Sequence, residues 1–495
     1  MSLLNCFLII ALLGCTEGTE SRTMLPQTDI SLSEDRPTEQ QKTKRTTVKA
    51  SDIIVSIENR EELAALEEHL HLATILPHTE VLPAHSERIS TAWLSQYHSS
   101  YQQLSQHIQS RIDLIATEID RDLVTELKDA LKYPAGNVGR RWDNRWFNSN
   151  IAFFQLIGIV NRIDKKDFYP EAGCGELRLL YRLAYQTEDG SSSRLPLTLS
   201  AVFENRSSDC QESIQRWITP EPSVSKLSLL KEALNLDLYR FNRIELNAQI
   251  IRFPSGVETE FAGQALYLLR AYSFDAEDPS QLIEVPLENT PDVQRLSKDS
   301  TLKEDLTTWI ADHIDEIDNG TYLIPEQFLA REALSYSTLG IHRRANKPFD
   351  AIFPHSDMES LPLPEGNLKW LRSKASVIDR LNNGSCIGCH QSSTTAGFHF
   401  LGEDDPEISG VTNRLALPFS SHFHKERVRR QKQLASLLNT GTADSFRPHS
   451  LAPEKPVAAR NQSCILDQHR LDFQEGALWT CEQDEYCEEV VESNA

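Results

Sequence analysis

Two cysteines three positions apart, followed at once by a histidine, stand at Cys386-Ile387-Gly388-Cys389-His390. Thiols at this spacing can each form a thioether to a vinyl group of a haem, and the adjacent imidazole then reaches the iron. Chance is a poor rival, because the Cys and His content of this chain supplies roughly 0.005 such motifs over its length. The same residues admit two other chemistries. Cys386 and Cys389 alone can make a redox disulfide, although Asn382-Asn383-Gly384-Ser385 precedes them and no strand–helix–strand pattern surrounds them. Together with His390 and a further histidine they can make a zinc site.

The motif resembles the haem-attachment site of c-type cytochromes, a resemblance that covers these five residues and the helix expected before them. It implies one haem c bound through Cys386 and Cys389, with His390 as the proximal iron ligand. The distal ligand stays open. His399 lies between Phe398 and Phe400, whose rings are suited to wall a haem; Met358, His422 and His424 are alternatives, and a five-coordinate iron is another. No second C-x-x-C-H occurs, which counts against di-haem peroxidases and multihaem wires.

At the other end, Leu3 to Leu13 are apolar except for Asn5 and run into Gly14-Cys15. That run has the length of a signal-peptide core and falls well short of the roughly 20 residues a transmembrane helix needs. Leu12-Leu13-Gly14-Cys15 resembles the bacterial lipobox, departing from it in having no Lys or Arg before the apolar core. The resemblance implies cleavage before Cys15, a lipid on that cysteine and export to the cell envelope. Thr16, where an Asp would signal retention, points to the outer membrane of a Gram-negative cell. An ordinary signal peptide, leaving Cys15 incidental, is the alternative. Residues 16–50 are polar and too poor in bulky apolar side chains to order themselves, as suits a disordered tether after the 1–15 signal peptide.

The elements that must position the motif follow from periodicity. Helical spacing over 58–72 and 88–132, with Ile108, Ile112, Ile115, Ile119 and Leu123 as one stripe, predicts a helical segment across 51–140. Ile151–Ile163, Glu176–Tyr185, Leu195–Glu204, Phe241–Phe253 and Gln264–Phe274 are rich in β-branched and aromatic residues. They read as five strands of an antiparallel sheet or sandwich within 141–288, interrupted by a helix near 223–237. Helical patterns return at 301–317, 325–336, 366–381 and 422–438, giving a helical segment over 289–440 that carries the motif. The tail, 441–495, reads as loop-like and acidic. The fold class is α+β. His98 and His107 read as ordinary helix histidines. The basic run Lys425, Arg427, Arg429, Arg430 and Lys432 reads as a solvated helix face, with Arg427, Arg430, Arg343 and Arg344 as weaker candidates to pair a haem propionate.

Nine cysteines are present. Beyond Cys6, Cys15 and the motif, Cys174 and Cys210 border the strands and form the preferred disulfide of an exported chain, while Cys464 with Cys481 or Cys487 would close a terminal loop. A net charge of -22 argues against nucleic acid as a partner. No dinucleotide fingerprint, P-loop, G-x-S-x-G elbow or H-E-x-x-H helix occurs, so nucleotide and hydrolase chemistry have no support. The expectation is a lipid-anchored envelope protein with one haem that passes electrons to a redox protein partner and is not itself an enzyme. Two alternatives stand beside it. One is an envelope lipoprotein that binds a protein or surface partner, with the C-x-x-C-H as a disulfide or structural site; the other is a haem enzyme such as a peroxidase. Cys15→Ser should strand the protein as an uncut precursor or release it from membranes; unchanged membrane fractionation and lipid labelling would contradict the anchor.

Overall fold

Strand β5 (Glu176–Gln186) shows how the sequence builds the sheet. Its alternate residues Leu177, Leu179, Tyr181 and Leu183 all enter one apolar core, and so do Leu197, Leu199, Ala201 and Phe203 of β6 (Ser192–Asn205). The computed structural model describes residues 13–17, 47–77, 88–130, 140–168, 173–189, 192–219, 226–252, 265–278, 280–336, 346–354, 360–361, 364, 366–386, 421–447, 457–458, 480–481 and 485–489. In chain order the other strands are β1 (Leu13–Glu17), β2 (Ser56–Ile57), β3 (Arg140–Arg141), β4 (Ala152–Arg162), β7 (Tyr239–Arg252), β8 (Ala265–Phe274), β9 (Leu282–Val285) and β10 (Glu332–Tyr336), with β11 (Val457–Ala458), β12 (Thr480–Cys481) and β13 (Glu485–Glu489) in the tail. The fold is α+β around a central antiparallel sheet, ordered β10-β8-β7-β6-β5-β4-β2, with β3 on β7 and β9 on β8.

One face of this sheet is covered by the N-terminal helices Arg60–Glu67, Thr91–Tyr97 and Ser99–Ala130. Ile108, Ile112 and Ile115 of the last line the same core as the strands. Each such side chain, fully buried, contributes about 1.5–3 kcal/mol. Leu434, Ala435 and Leu437 of the helix Ser421–Thr440 close this core from the C-terminal side. His98 is buried and meets the Ala73 carbonyl at 3.2 Å.

A second core gathers Leu296, Leu306, Ile310, Ile317, Phe349, Val377 and Leu381 from the helices Val293–Lys298, Ser300–Asp312, Ile314–Asn319, Pro348–Ile352 and Lys374–Gly384, with Tyr322 from the segment after Asn319. Buried Asp318 ties it together by accepting the backbone N–H groups of Lys369, Trp370 and Leu371, each at 2.7 Å.

Three expectations are corrected. The helical pattern at 325–336 resolves into a single turn, Glu326–Phe328, and the strand β10, which pairs with β8. The open edge of β8 needs hydrogen-bond partners, and that pairing overrides a local Glu-Ala-Leu helix preference. The helix expected from 366 begins at Lys374, where the Ser373 hydroxyl accepts from the Ser376 N–H. The tether is docked at its end: the Val48 N–H donates to Asn439 Oδ1 at 3.0 Å. In the tail, β13 pairs with β1 and β11 with β12. No described helix is long and apolar enough to cross a membrane.

Cys174 and Cys210 form a disulfide across 36 positions of sequence. It joins the turn before β5, where Gly173 and Gly175 take positive φ, to the helix Cys210–Gln215. Constraining a loop of that size stabilises by about 3–4 kcal/mol in the chain-entropy account. Cys210→Ser should lower the unfolding free energy by about that amount in a urea titration, and a peptide map finding both thiols alkylated without reduction would contradict the bridge.

Candidate functional site

The helix Lys374–Gly384 delivers the chain to Cys386. Tyr322 stops against Gly384, where a side chain would collide with its ring, and its hydroxyl donates to the Arg380 carbonyl at 3.0 Å. The next turn is held by its own polar groups: the Ser385 hydroxyl donates to the Asn382 carbonyl at 2.7 Å. Cys386 is then fixed from the other side, its N–H donating to Thr290 Oγ1 at 3.0 Å and to the Glu288 carbonyl at 3.3 Å. Asn289, between those two residues, is the one described non-glycine residue with positive φ, at 51°. Its side-chain amide explains how that backbone is kept: Nδ2 donates to the Tyr322 carbonyl at 3.1 Å, and Oδ1 accepts from the Ile324 N–H at 2.8 Å. Sequence patterns did not point to Glu288, Asn289 or Thr290, because a loop that grips a distant cysteine has no period.

The Cys386 thiol is buried, unbridged among the described residues, and packed with Leu269, Ala271 and Leu287. Burial pushes its pKa well up, reinforced by the nearby Glu245 and Glu288 carboxylates. It is therefore a neutral, weakly nucleophilic thiol in an apolar notch, on the face of the sheet opposite the large core.

That second face is charged. On β5 the residues alternating with the core leucines are Glu176, Arg178 and Arg182, and on β7 they are Arg243, Glu245 and Asn247; all are nine-tenths buried or more. Lys165 Nζ bonds Glu288 at 2.6 Å and Glu176 at 3.2 Å. Arg178 bonds Glu176 at 2.9 Å and Glu245 at 2.7 Å, and Arg243 reaches Glu245 at 2.9 Å and Glu288 at 3.2 Å. Three cations thus face three carboxylates. Burial raises the Glu288 carboxyl, but Lys165 and Arg243 outweigh it and bring the group down to about 2. Glu176 is also held well below its ordinary value, because Arg178, Lys165 and Arg243 overcome its burial.

A second cluster adjoins it through Asp164. Arg162, Arg429, Arg430 and Arg447 converge on this one carboxylate, and Glu426 supplies a second acceptor to Arg429 and Arg430. Burial raises the Asp164 carboxyl, but the guanidinium charges prevail and it lies far below the carboxylate range. Arg429 and Arg430 correct the expectation of a solvated basic face: they are ion-paired and buried or nearly so. Arg427 stays nearer the surface, 3.6 Å from Glu58.

Of the motif, Cys386 is placed as above, whereas Cys389, His390, His399, Met358, Arg343, Arg344 and Cys464 lie outside the described residues. His422 and His424 fall on the helix Ser421–Thr440, and Cys15 and Cys481 fall on β1 and β12, each described in backbone only. Among the described residues no three His, Cys, Asp or Glu side chains come together as metal ligands. Compared with protein-family models, with curated proteins and with solved structures, the chain matches none.

Glu288 and Asp164 have folded-state pKa values below their ordinary ones, so their stabilising contribution is full above about pH 4.5 and is lost as pH falls, toward about 2 for Glu288 and at still lower pH for Asp164. Unfolding free energy should decline over that acid window, and in Glu288→Gln it should decline less steeply. At pH 7, Asp164→Asn should cost about 3–5 kcal/mol, because it strands buried guanidinium charge; a loss under 1 kcal/mol in a urea titration would refute the assignment.

Proposed function

We propose that this chain is a lipid-anchored envelope protein that carries one haem c on Cys386 and Cys389 and transfers single electrons to a protein partner. The observation that carries the reading is the fit of Cys386. A thioether is uncharged and apolar, and Leu269, Ala271 and Leu287 offer this sulfur an apolar seat while Thr290 Oγ1 and the Glu288 carbonyl hold the Cys386 N–H. Cys386 and Cys389 would hold the group and His390 would ligate its iron. Bound there, haem supplies a reversible one-electron couple. The residues of the chain do the remainder. Thr290 and Glu288 position the attachment point, and the apolar wall keeps water from the thioether side. Lys165, Glu176, Arg178, Arg243, Glu245 and Glu288 balance three against three on the sheet face that carries Cys386.

The second reading is a binding lipoprotein in which the two cysteines serve another purpose. It draws support from the large sheet core, which an electron carrier does not require.

An absorption spectrum of the exported protein, oxidised and dithionite-reduced, decides between them: sharp reduced bands that survive acid extraction of free haem are expected, and their absence would overturn the haem reading. With His399 as distal ligand, the ferric protein should be low-spin and bind carbon monoxide slowly when reduced. His399→Ala should then turn it high-spin and speed that binding, while His390→Ala should abolish holoprotein formation. A low-spin spectrum unchanged in His399→Ala would move the assignment to Met358, His422 or His424.

A further inference from the structure

The two buried clusters differ in one respect. Around Lys165 the charges balance, three against three, but around Asp164 four guanidinium groups face two carboxylates among the described residues. The cluster lies in the interior: Arg162 is 1% exposed, and Arg430 and Arg447 are 0% exposed. Asp164 cannot satisfy them all. Arg162 Nε takes its Oδ1 at 3.0 Å, while Oδ2 is approached by Arg429 at 3.2 Å, Arg430 at 3.7 Å and, closest, by Arg447. One carboxylate oxygen has about two lone pairs to offer. The remainder is visible as donors without an acceptor: Arg162 Nη1 and Arg447 Nε and Nη1 are buried and hydrogen-bond to nothing among the described residues. Arg447 also lies over the face of Phe168, 4.4 Å from its guanidinium carbon. Unpaired charge in a closed interior costs several kcal/mol per ion, and the same fork-shaped donors are what recognise oxyanions two oxygens at a time.

We infer that the Arg162, Arg429, Arg430 and Arg447 cluster is an anion site that takes a doubly negative oxygen ligand. The ligand is either a free oxyanion of the phosphate type or the paired propionates of a haem on Cys386; the latter source rests on the function proposed above. The Arg162, Arg430 and Arg447 side chains are closed to bulk water, so the anion is enclosed as the segment from Ser421 to Arg447 docks on the sheet. Arg447 is the fastener of that segment: its N–H donates to the Asn319 carbonyl at 2.9 Å and its own carbonyl accepts from Arg380 Nη2 at 2.6 Å. Arg380 belongs to the helix that leads to Cys386, so the anion site and the motif share one support. Burial brings Arg447 down to about 9, and Asp164 offsets only part of that shift.

Inorganic phosphate is the probe, compared with chloride at equal ionic strength, on the protein as exported and on the Cys386→Ser/Cys389→Ser double variant. Phosphate is expected to raise the thermal midpoint of at least one form by several degrees. Stabilisation of both forms assigns the site to a free oxyanion; stabilisation of the double variant alone assigns it to the propionates. Arg447→Gln should lose the phosphate effect. Should that variant fail to fold, Arg162→Lys, which keeps the charge but removes the fork, should weaken phosphate binding about tenfold by calorimetry. Equal midpoints in phosphate and chloride for both forms, or full phosphate stabilisation in Arg447→Gln, would overturn the anion site. A spectrum without haem bands would instead end the haem reading and leave the phosphate arm standing.

Discussion

The charged face of the central sheet is the constraint to which the rest of the structure answers. An antiparallel sheet commonly packs one face and leaves the other to water, so the alternation of β5 and β7 would ordinarily set Glu176, Arg178, Arg243 and Glu245 in solvent. Here both faces are buried. Taking a charge out of water costs several kcal/mol, and the cost is met only when partners approach at hydrogen-bond distance with good geometry. Lys165 and Glu288, which belong to no strand, complete the set, so a turn after β4 and a loop after β9 are held to the sheet by the charges they neutralise.

That requirement explains why Cys386 lies where it does. Glu288 serves twice, its carboxylate closing the ion-pair set and its carbonyl accepting from the cysteine N–H. The left-handed turn at Asn289 lets the same loop present Thr290 to that N–H, and the side chain of Asn289 anchors the loop to the second core. The two cores are therefore joined by polar contacts, an arrangement that depends on geometry far more steeply than apolar packing does. A shift that would merely loosen a hydrophobic contact leaves a buried donor or acceptor unpaired.

The Asp164 cluster extends this logic to the C-terminal segment. The helix Ser421–Thr440 reaches the large core with Leu434, Ala435 and Leu437, but its registry is set by Glu426, Arg429 and Arg430 against Asp164. Apolar contacts tolerate sliding by a residue or two, whereas a carboxylate shared among several guanidinium groups does not. Specificity of docking thus comes from charges whose net contribution to stability is small beside that of the apolar contacts.

Much of this architecture was legible along the chain. The strands from residue 151 to 274 and the helix carrying Ile108, Ile112 and Ile115 follow from periodicity, because a residue facing a core repeats with its element. The C-x-x-C-H is likewise local chemistry at fixed spacing. What the chain alone did not disclose is what opposes each polar residue. Arg429 and Arg430 look like any basic helix face until Asp164 is brought against them from a position far earlier in the sequence. Asn289 has no period, and the strand at Glu332–Tyr336 carries a helix-like pattern until the free edge of β8 claims it. Local propensity and periodicity are properties of one segment, so sequence determines them by itself. Charge pairing, edge pairing and the grip on Cys386 are properties of two segments, and only the tertiary structure decides which two meet.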